Sequence, residues 1–450
     1  MIRSLLGLAA AVASFVALGA GLMLAVGYWR RCGGVARLVV AAFVGAAGAS
    51  AALPPLVYVG LSPTPAVFAV VTVAALAIGG ALARRRPAPP RDLAGGGRTA
   101  ALVAALPAVV LCVDATWRRP IDIDQWFQWS LKAIFLAHAG GPFAGALDRR
   151  VFLGAQYAHI HREYPLGYPA LQAYEFHLMG SADLRAIHLH FVLLLLAFAT
   201  TTWVVLRPHV PGSVLVPCVA LLVAAPALQS RALSAYADVP VACQAIAALL
   251  FLAVWLRDGE RAGLGMAAVL FAGALATKQE GQYLAVVPLA LAVVYLLARQ
   301  RPGLGALAVA TAATAATALP WKLWTYRHQL SDSDIAPSIW RTRHNIGTLP
   351  TILRAVGAEV VARGWLGAMP LATALAALLL VRRRDRWLAA GYIAASAGLL
   401  GAIVLVYLNA RVPLVGLLNL SVSRVVIGPQ LLALVSLPVL LERSLRRADG

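Results

Sequence analysis

The sequence predicts an all-α polytopic membrane protein of about thirteen transmembrane helices, with a long outer loop following the first core span. Three observations predict it. Of 450 residues, 61% are hydrophobic and only 12% charged, where a soluble domain carries about a quarter charged residues. Apolar stretches of about 20 residues, enough to cross a bilayer, recur along the whole chain. Arginines collect in short connectors between those stretches, at alternate ends.

The spans begin near Leu5, Leu38, Pro65, Thr99, Ala186, Val214, Val239, Leu264, Tyr283, Leu304, Trp365, Trp387 and Val425. The first reads as a retained span rather than a cleaved leader, because Trp29-Arg30-Arg31 stops it abruptly after a long apolar run. The basic connectors are Trp29–Arg37, Arg84–Arg98, Arg207, Arg257–Arg261, Arg299–Arg301, Arg382–Arg386 and the tail Arg443–Arg447. The positive-inside rule places all of them in the cytosol, and one alternating assignment satisfies every one. The chain then divides into three leading helices with a Pro/Arg/Gly-rich linker (1–98), a membrane core (99–441) and a cytosolic tail (442–450). Topology accounts for the net charge of +20, so nucleic acid is not read as a partner. Cys32, Cys112, Cys218 and Cys243 are scattered, with neither metal-ligand spacing nor a disulfide framework.

The opposite, outer face receives Trp117–Arg185, Gln229–Pro240, Thr277–Gln282, Trp321–Gly364 and Asn409–Arg424, which hold every prominent polar cluster. The first of these is far longer than the about 2–8 residues a simple connector needs. It carries Asp122, Asp124, Trp126, Trp129 and Lys132. If helical, this stretch sets Gln125, Trp129 and Lys132 on one face, with Asp124 and Gln128 on the neighbouring one. Tryptophans of this kind sit at headgroup level. The two aspartates read either as caps of an interfacial anchor helix or as a catalytic acid or base.

Lys132, Lys278 and Lys322 are the only lysines, and all three fall on the outer side, where topology asks for no positive charge. A lysine is a compact point charge suited to phosphate. Lys278 sits in Thr277-Lys278-Gln279-Glu280-Gly281 between two apolar spans, a depth at which ionisable groups are functional by default. His159, His161 and Glu163 share one side of an extended segment and could hold a divalent cation, although Arg162 opposes it; no other cofactor is implied. Asp238 opens a span, as a cap or as a functional carboxylate. Arg424, after Ser421 and Ser423, is an outer-side arginine that suits a bound anion.

In this order, the clusters resemble the GT-C superfamily of integral-membrane glycosyltransferases, with the nearest likeness to bacterial lipid-linked mannosyltransferases and aminoarabinose transferases. The resemblance rests on an acidic residue followed by Trp126-x-x-Trp129-x-x-Lys132-Ala133, on His161-x-Glu163-Tyr164-Pro165-Leu166, and on Tyr236-Ala237-Asp238-Val239-Pro240. Thr277-Lys278-Gln279-Glu280-Gly281 and Ser421-x-Ser423-Arg424 complete it. Three spans precede the one that comes first in that family, and Glu163 stands where Asp is frequent.

The resemblance implies sugar transfer from a polyprenyl-phosphate carrier to a glycan, lipid or protein acceptor, on the outer face of a bacterial cytoplasmic membrane among membrane lipids. Asp124 matches the family's catalytic base, with Asp122 in reserve. Lys278 and Arg424 are expected to take the donor phosphate, with Arg231 behind them. Tyr164, Tyr168, Trp126 and Trp129 are expected to frame the sugar, and Lys132, His161, Glu163, Asp238 and Glu280 to bind substrate. No Gly-rich phosphate loop calls for a nucleotide. Two alternatives stand beside this one. A polysaccharide polymerase or ligase with a diphosphate-linked donor would use the arginines of 327–363. A lipid or solute transporter would place its polar residues near mid-membrane.

Overall fold

The computed structural model describes residues 2–85, 110–111, 113–115, 124–138, 161–330, 335, 338–383 and 385–446. Among them the protein is all helical, with one isolated antiparallel bridge between Ile335 and Ala410. The leading helices are α1 (Ile2–Val26), α2 (Gly34–Tyr58) and α3 (Pro65–Arg84). Next come the short α4 (Leu131–His138), α5 (Gly167–Met179), α6 (Leu184–Leu206), and the pair α7 (Gly212–Ala224) and α8 (Pro226–Leu233). Then follow α9 (Asp238–Asp258), α10 (Arg261–Thr277), α11 (Gly281–Ala298), α12 (Leu304–Arg327), α13 (Ile339–His344), α14 (Leu349–Val360), α15 (Ala368–Val381), α16 (Arg386–Leu408), α17 (Leu414–Val425) and α18 (Ile427–Leu445).

Local chemistry sets the helix ends. The Thr64 hydroxyl accepts from the Val67 amide while Pro65 opens α3. Asp183 accepts from the Arg185 and Ala186 amides to start α6. Helix α9 stops at Gly259, whose φ of 74° is the left-handed cap that glycine takes without a Cβ penalty. Pro226 removes an amide donor and holds Ala225 extended, so α7 and α8 meet at 48°.

Among the described residues nine helices are long and apolar enough to cross a membrane, or ten if the bent α7–α8 pair counts as one span. Helices α10 and α15 are apolar but shorter, at 17 and 14 residues. Each expected span has a helical counterpart except the one near Thr99, of which only 110–111 and 113–115 are described, as helix. The expected start at Val425 instead falls at the join between α17 and α18. Along α9, α10, α11, α12 and α16, Asp238, Lys278, Glu280, Trp321 and Tyr407 sit at or beside one set of helix ends. Arg257, Arg261, Arg299 and Arg386 sit at the other set.

The leading helices are part of the packed body. Helix α1 packs on α2, α3 and α5, while α2 packs on α10, α5 and α6. This close fit depends on missing side chains: a Cβ at Gly273 would lie 2.8 Å from the Ala47 carbonyl oxygen. Helix α5 is enclosed by its neighbours, with Tyr168, Gln172 and Glu175 all buried. A smaller apolar cluster joins Ile352 and Val356 of α14 to Ile403 and Tyr407 of α16 and to Leu418 and Val422 of α17.

Candidate active site

The polar helix ends converge on a cavity of ≈ 630 Å³, within the range of about 300–1,000 Å³ typical of ligand sites. Its walls carry Asp124, Glu163, Asp238 and Glu280 together with Lys278, Lys322, Arg411 and Arg424. Ile403, Val406, Leu417 and Leu420 supply an apolar wall. Segments hundreds of residues apart therefore meet in one hollow.

A π-helical turn, Gln125–Ser130, leads into α4 and aims the first acidic segment. Gln125, Trp129 and Lys132 do share a face, and it is buried at 1%, 2% and 0% exposure. Asp124 and Gln128 are left on the cavity wall. Asp124 occupies the position before the turn, yet its side chain makes no capping bond; it forms an ion pair with Arg424 instead. The guanidinium also lies over the Tyr236 ring, 5.1 Å from its centre.

Lys278 follows the last residue of α10, and its ammonium contacts the carboxylates of Asp238 at 2.7 Å and Glu280 at 2.6 Å. Burial opposes that charge, but Asp238 and then Glu280 outweigh it and hold the ammonium above the ordinary lysine range. Asp238 thus spends a carboxylate oxygen on Lys278. Glu163 is fixed at both ends of its residue: its carboxylate meets His161 Nδ1 at 2.9 Å, and its carbonyl accepts from Trp321 Nε1 at 2.7 Å.

Lys132 lies outside the cavity wall. It has no exposed surface and donates to the His161 carbonyl at 2.8 Å, with the rings of Trp129 and Tyr164 at 5.4 and 5.5 Å. Burial lowers its pKa to about 7, against the pull of Glu163. It therefore supports the turn that carries Glu163.

Of the residues expected to frame the sugar, Tyr164 and Trp129 line the cavity. Tyr168 does not: it is buried behind Trp129 and hydrogen-bonds Gln172, because Gly167 starts α5 deep between α2 and α10. Trp126 is 42% exposed and absent from the cavity wall, since the π-turn directs it away from Trp129. Arg231 donates to the hydroxyl of Ser423, the residue before Arg424, at 2.7 Å, and is likewise not on the wall. Asp122 and His159 lie outside the described residues. Among the described residues no group of three or more metal-type ligands gathers.

Several lining residues carried no motif. Tyr407, which bonds Ser421 at 2.9 Å, and Arg411 come from apolar or ordinary-looking sequence. Lys322, stacked over Trp321 at 4.1 Å, was marked only by the rarity of lysine. No family model matches the chain, and neither does any curated protein or solved structure.

Proposed function

We propose that this chain is a membrane glycosyltransferase that moves a sugar from a polyprenyl-phosphate donor to an acceptor hydroxyl on the outer face of a bacterial cytoplasmic membrane. The observation that carries the reading is one cavity whose lining brings four carboxylates, two lysines and two arginines together with apolar side chains. An anionic head on a hydrocarbon chain matches those two surfaces. Donor phosphate belongs with the cations, and the chain belongs along Leu417 and Leu420.

In this reading Asp124 takes the proton from the acceptor hydroxyl as its oxygen attacks the anomeric carbon. The bond from that carbon to the lipid phosphate breaks on the far side, which inverts the sugar. Charge then grows on the leaving phosphate, where Lys278 and Arg424 stabilise it without having to reorganise. Glu163 and Glu280 would orient sugar hydroxyls. The companion topology has thirteen crossings: nine long helices, the bent pair, α10, α15 and a span near Thr99. It sets the basic connectors in the cytosol.

The test is transfer by the purified protein in detergent, with radiolabelled polyprenyl-phosphate sugars and extracted membrane acceptors. Wild type should form a covalent product, and Asp124→Asn should lose about 10²–10⁴-fold in rate while eluting and melting like wild type. Near-normal turnover by the variant removes Asp124 from the role. Product only from diphosphate donors would favour the polymerase or ligase reading, and accumulation of unmodified solute would favour transport.

A further inference from the structure

Two of the cations on the cavity wall, Lys278 and Arg424, are already engaged by carboxylates. Lys278 is held by Asp238 and Glu280 in a pocket where Lys278 and Asp238 are both nearly inaccessible, at 6% and 4% exposure of their side chains. The Asp124–Arg424 pair is different. The Asp124 side chain is 39% exposed and that of Arg424 16%, so an incoming ligand can reach the pair. The guanidinium also keeps unused bonding capacity, because Arg424 Nε is buried with no hydrogen-bond partner.

A carboxylate held in such a pair has one oxygen committed to the guanidinium and its orientation fixed by it, so it is not free to turn to the acceptor hydroxyl. A phosphate offers the same guanidinium three acceptor oxygens and more charge. We propose that the Asp124–Arg424 ion pair is a latch: an anionic phosphate arriving at Arg424 displaces the Asp124 carboxylate and so frees the base only when the donor is seated. This rests on the glycosyl-transfer reading and adds to it an order of events, donor before deprotonation. Linkage makes the effect reciprocal. Whatever factor the phosphate loosens the carboxylate by, the carboxylate weakens phosphate binding by the same factor.

The probe is farnesyl phosphate, with farnesol as the uncharged control, titrated calorimetrically into the purified full chain in detergent micelles. Asp124→Asn removes the competitor and should tighten farnesyl phosphate binding roughly tenfold, within the about 5–150-fold span of such couplings. The same substitution placed on Arg424→Gln should change affinity less than about twofold, because no pair remains to break. Asp124→Glu, which keeps the pair, should bind close to wild type, and it serves should the arginine variant not fold. Absence of tightening in Asp124→Asn overturns the latch. So does equal tightening with and without Arg424, which would mean the carboxylate acts only through its field. Farnesyl phosphate bound no better than farnesol in every variant overturns the phosphate-donor reading and the latch together. Tightening as expected, with no sugar transfer from any donor, sustains the latch and overturns only the transfer reading.

Discussion

Lys132 is a lysine with no exposed surface, one hydrogen bond to a backbone carbonyl and two aromatic rings for neighbours. Burial places its pKa at about 7 in the folded protein, against about 10.4 in the unfolded chain. Because the folded value is the lower one, the unfolded chain binds the extra proton between those two pH values, and stability rises with pH across them. Below about pH 7 both states are protonated and the burial cost is fully present. Integrated from about pH 6 to about pH 9, the gain is about 3 kcal/mol. The His161 carbonyl and the ring faces favour the ammonium form, which makes this an upper bound.

Lys132→Met keeps the packing and removes the titration. The assay is urea unfolding of wild type and variant in detergent at several pH values, taking the difference between the two at each. That difference should favour the variant most at low pH and shrink as pH rises. Hydrogen exchange over His161–Leu166 should meanwhile quicken in wild type above neutrality, as the ammonium that holds the His161 carbonyl is lost. A difference that stays flat from about pH 6 to about pH 9 would refute the argument, since a lysine still ordinary in the fold has no slope there.

Three further outcomes follow from the same contacts. Lys278→Met leaves Asp238 buried and Glu280 half-buried without their shared cation and should cost about 3–5 kcal/mol in a chemical melt. Asp238→Asn should cost less, because Glu280 remains at 2.6 Å from the ammonium; the reverse order would mean Glu280 does not pair. Gly167→Ala puts a Cβ 2.3 Å from the Ala276 carbonyl oxygen and 2.6 Å from that of Ser50, so α2 and α10 must part. A loss of about 1–3 kcal/mol is expected, and an unchanged melting temperature would speak against that packing. Trp321→Phe deletes the indole bond to the Glu163 carbonyl, expected to cost about 1 kcal/mol and to loosen exchange at Glu163 and Tyr164; unaltered exchange would show that Trp321 does not hold this turn.

Much of the architecture was legible because hydropathy and arginine placement are local properties. A run such as Val239–Trp255 must bury its backbone polar groups in a helix wherever its neighbours lie. The site was legible by composition: lysine and carboxylate are costly near apolar spans, so Lys278 and Asp238 stood out. What misled was orientation. Tyr168 sits in a motif with Tyr164, yet the start of α5 turns it inward, and the π-turn turns Trp126 outward. A one-residue change in register within such a helical turn rotates each side chain by about a quarter turn, enough to change which one meets the cavity, and no periodicity in a segment this short records it.

By itself, then, the sequence determined that the chain is helical and apolar, roughly where most of its long helices start, and which few charged residues stand beside their ends. Only the tertiary structure decided partnership: that Asp124 meets Arg424 across 300 residues, that Lys278 lies between two acids, and that Lys132 is buried against the His161 carbonyl. The physical reason lies in the helices themselves. They are apolar nearly all round, so no stripe marks which neighbour each must face. Their neighbours are chosen instead by close contacts such as Gly273 on Ala47, which depend on shape in three dimensions.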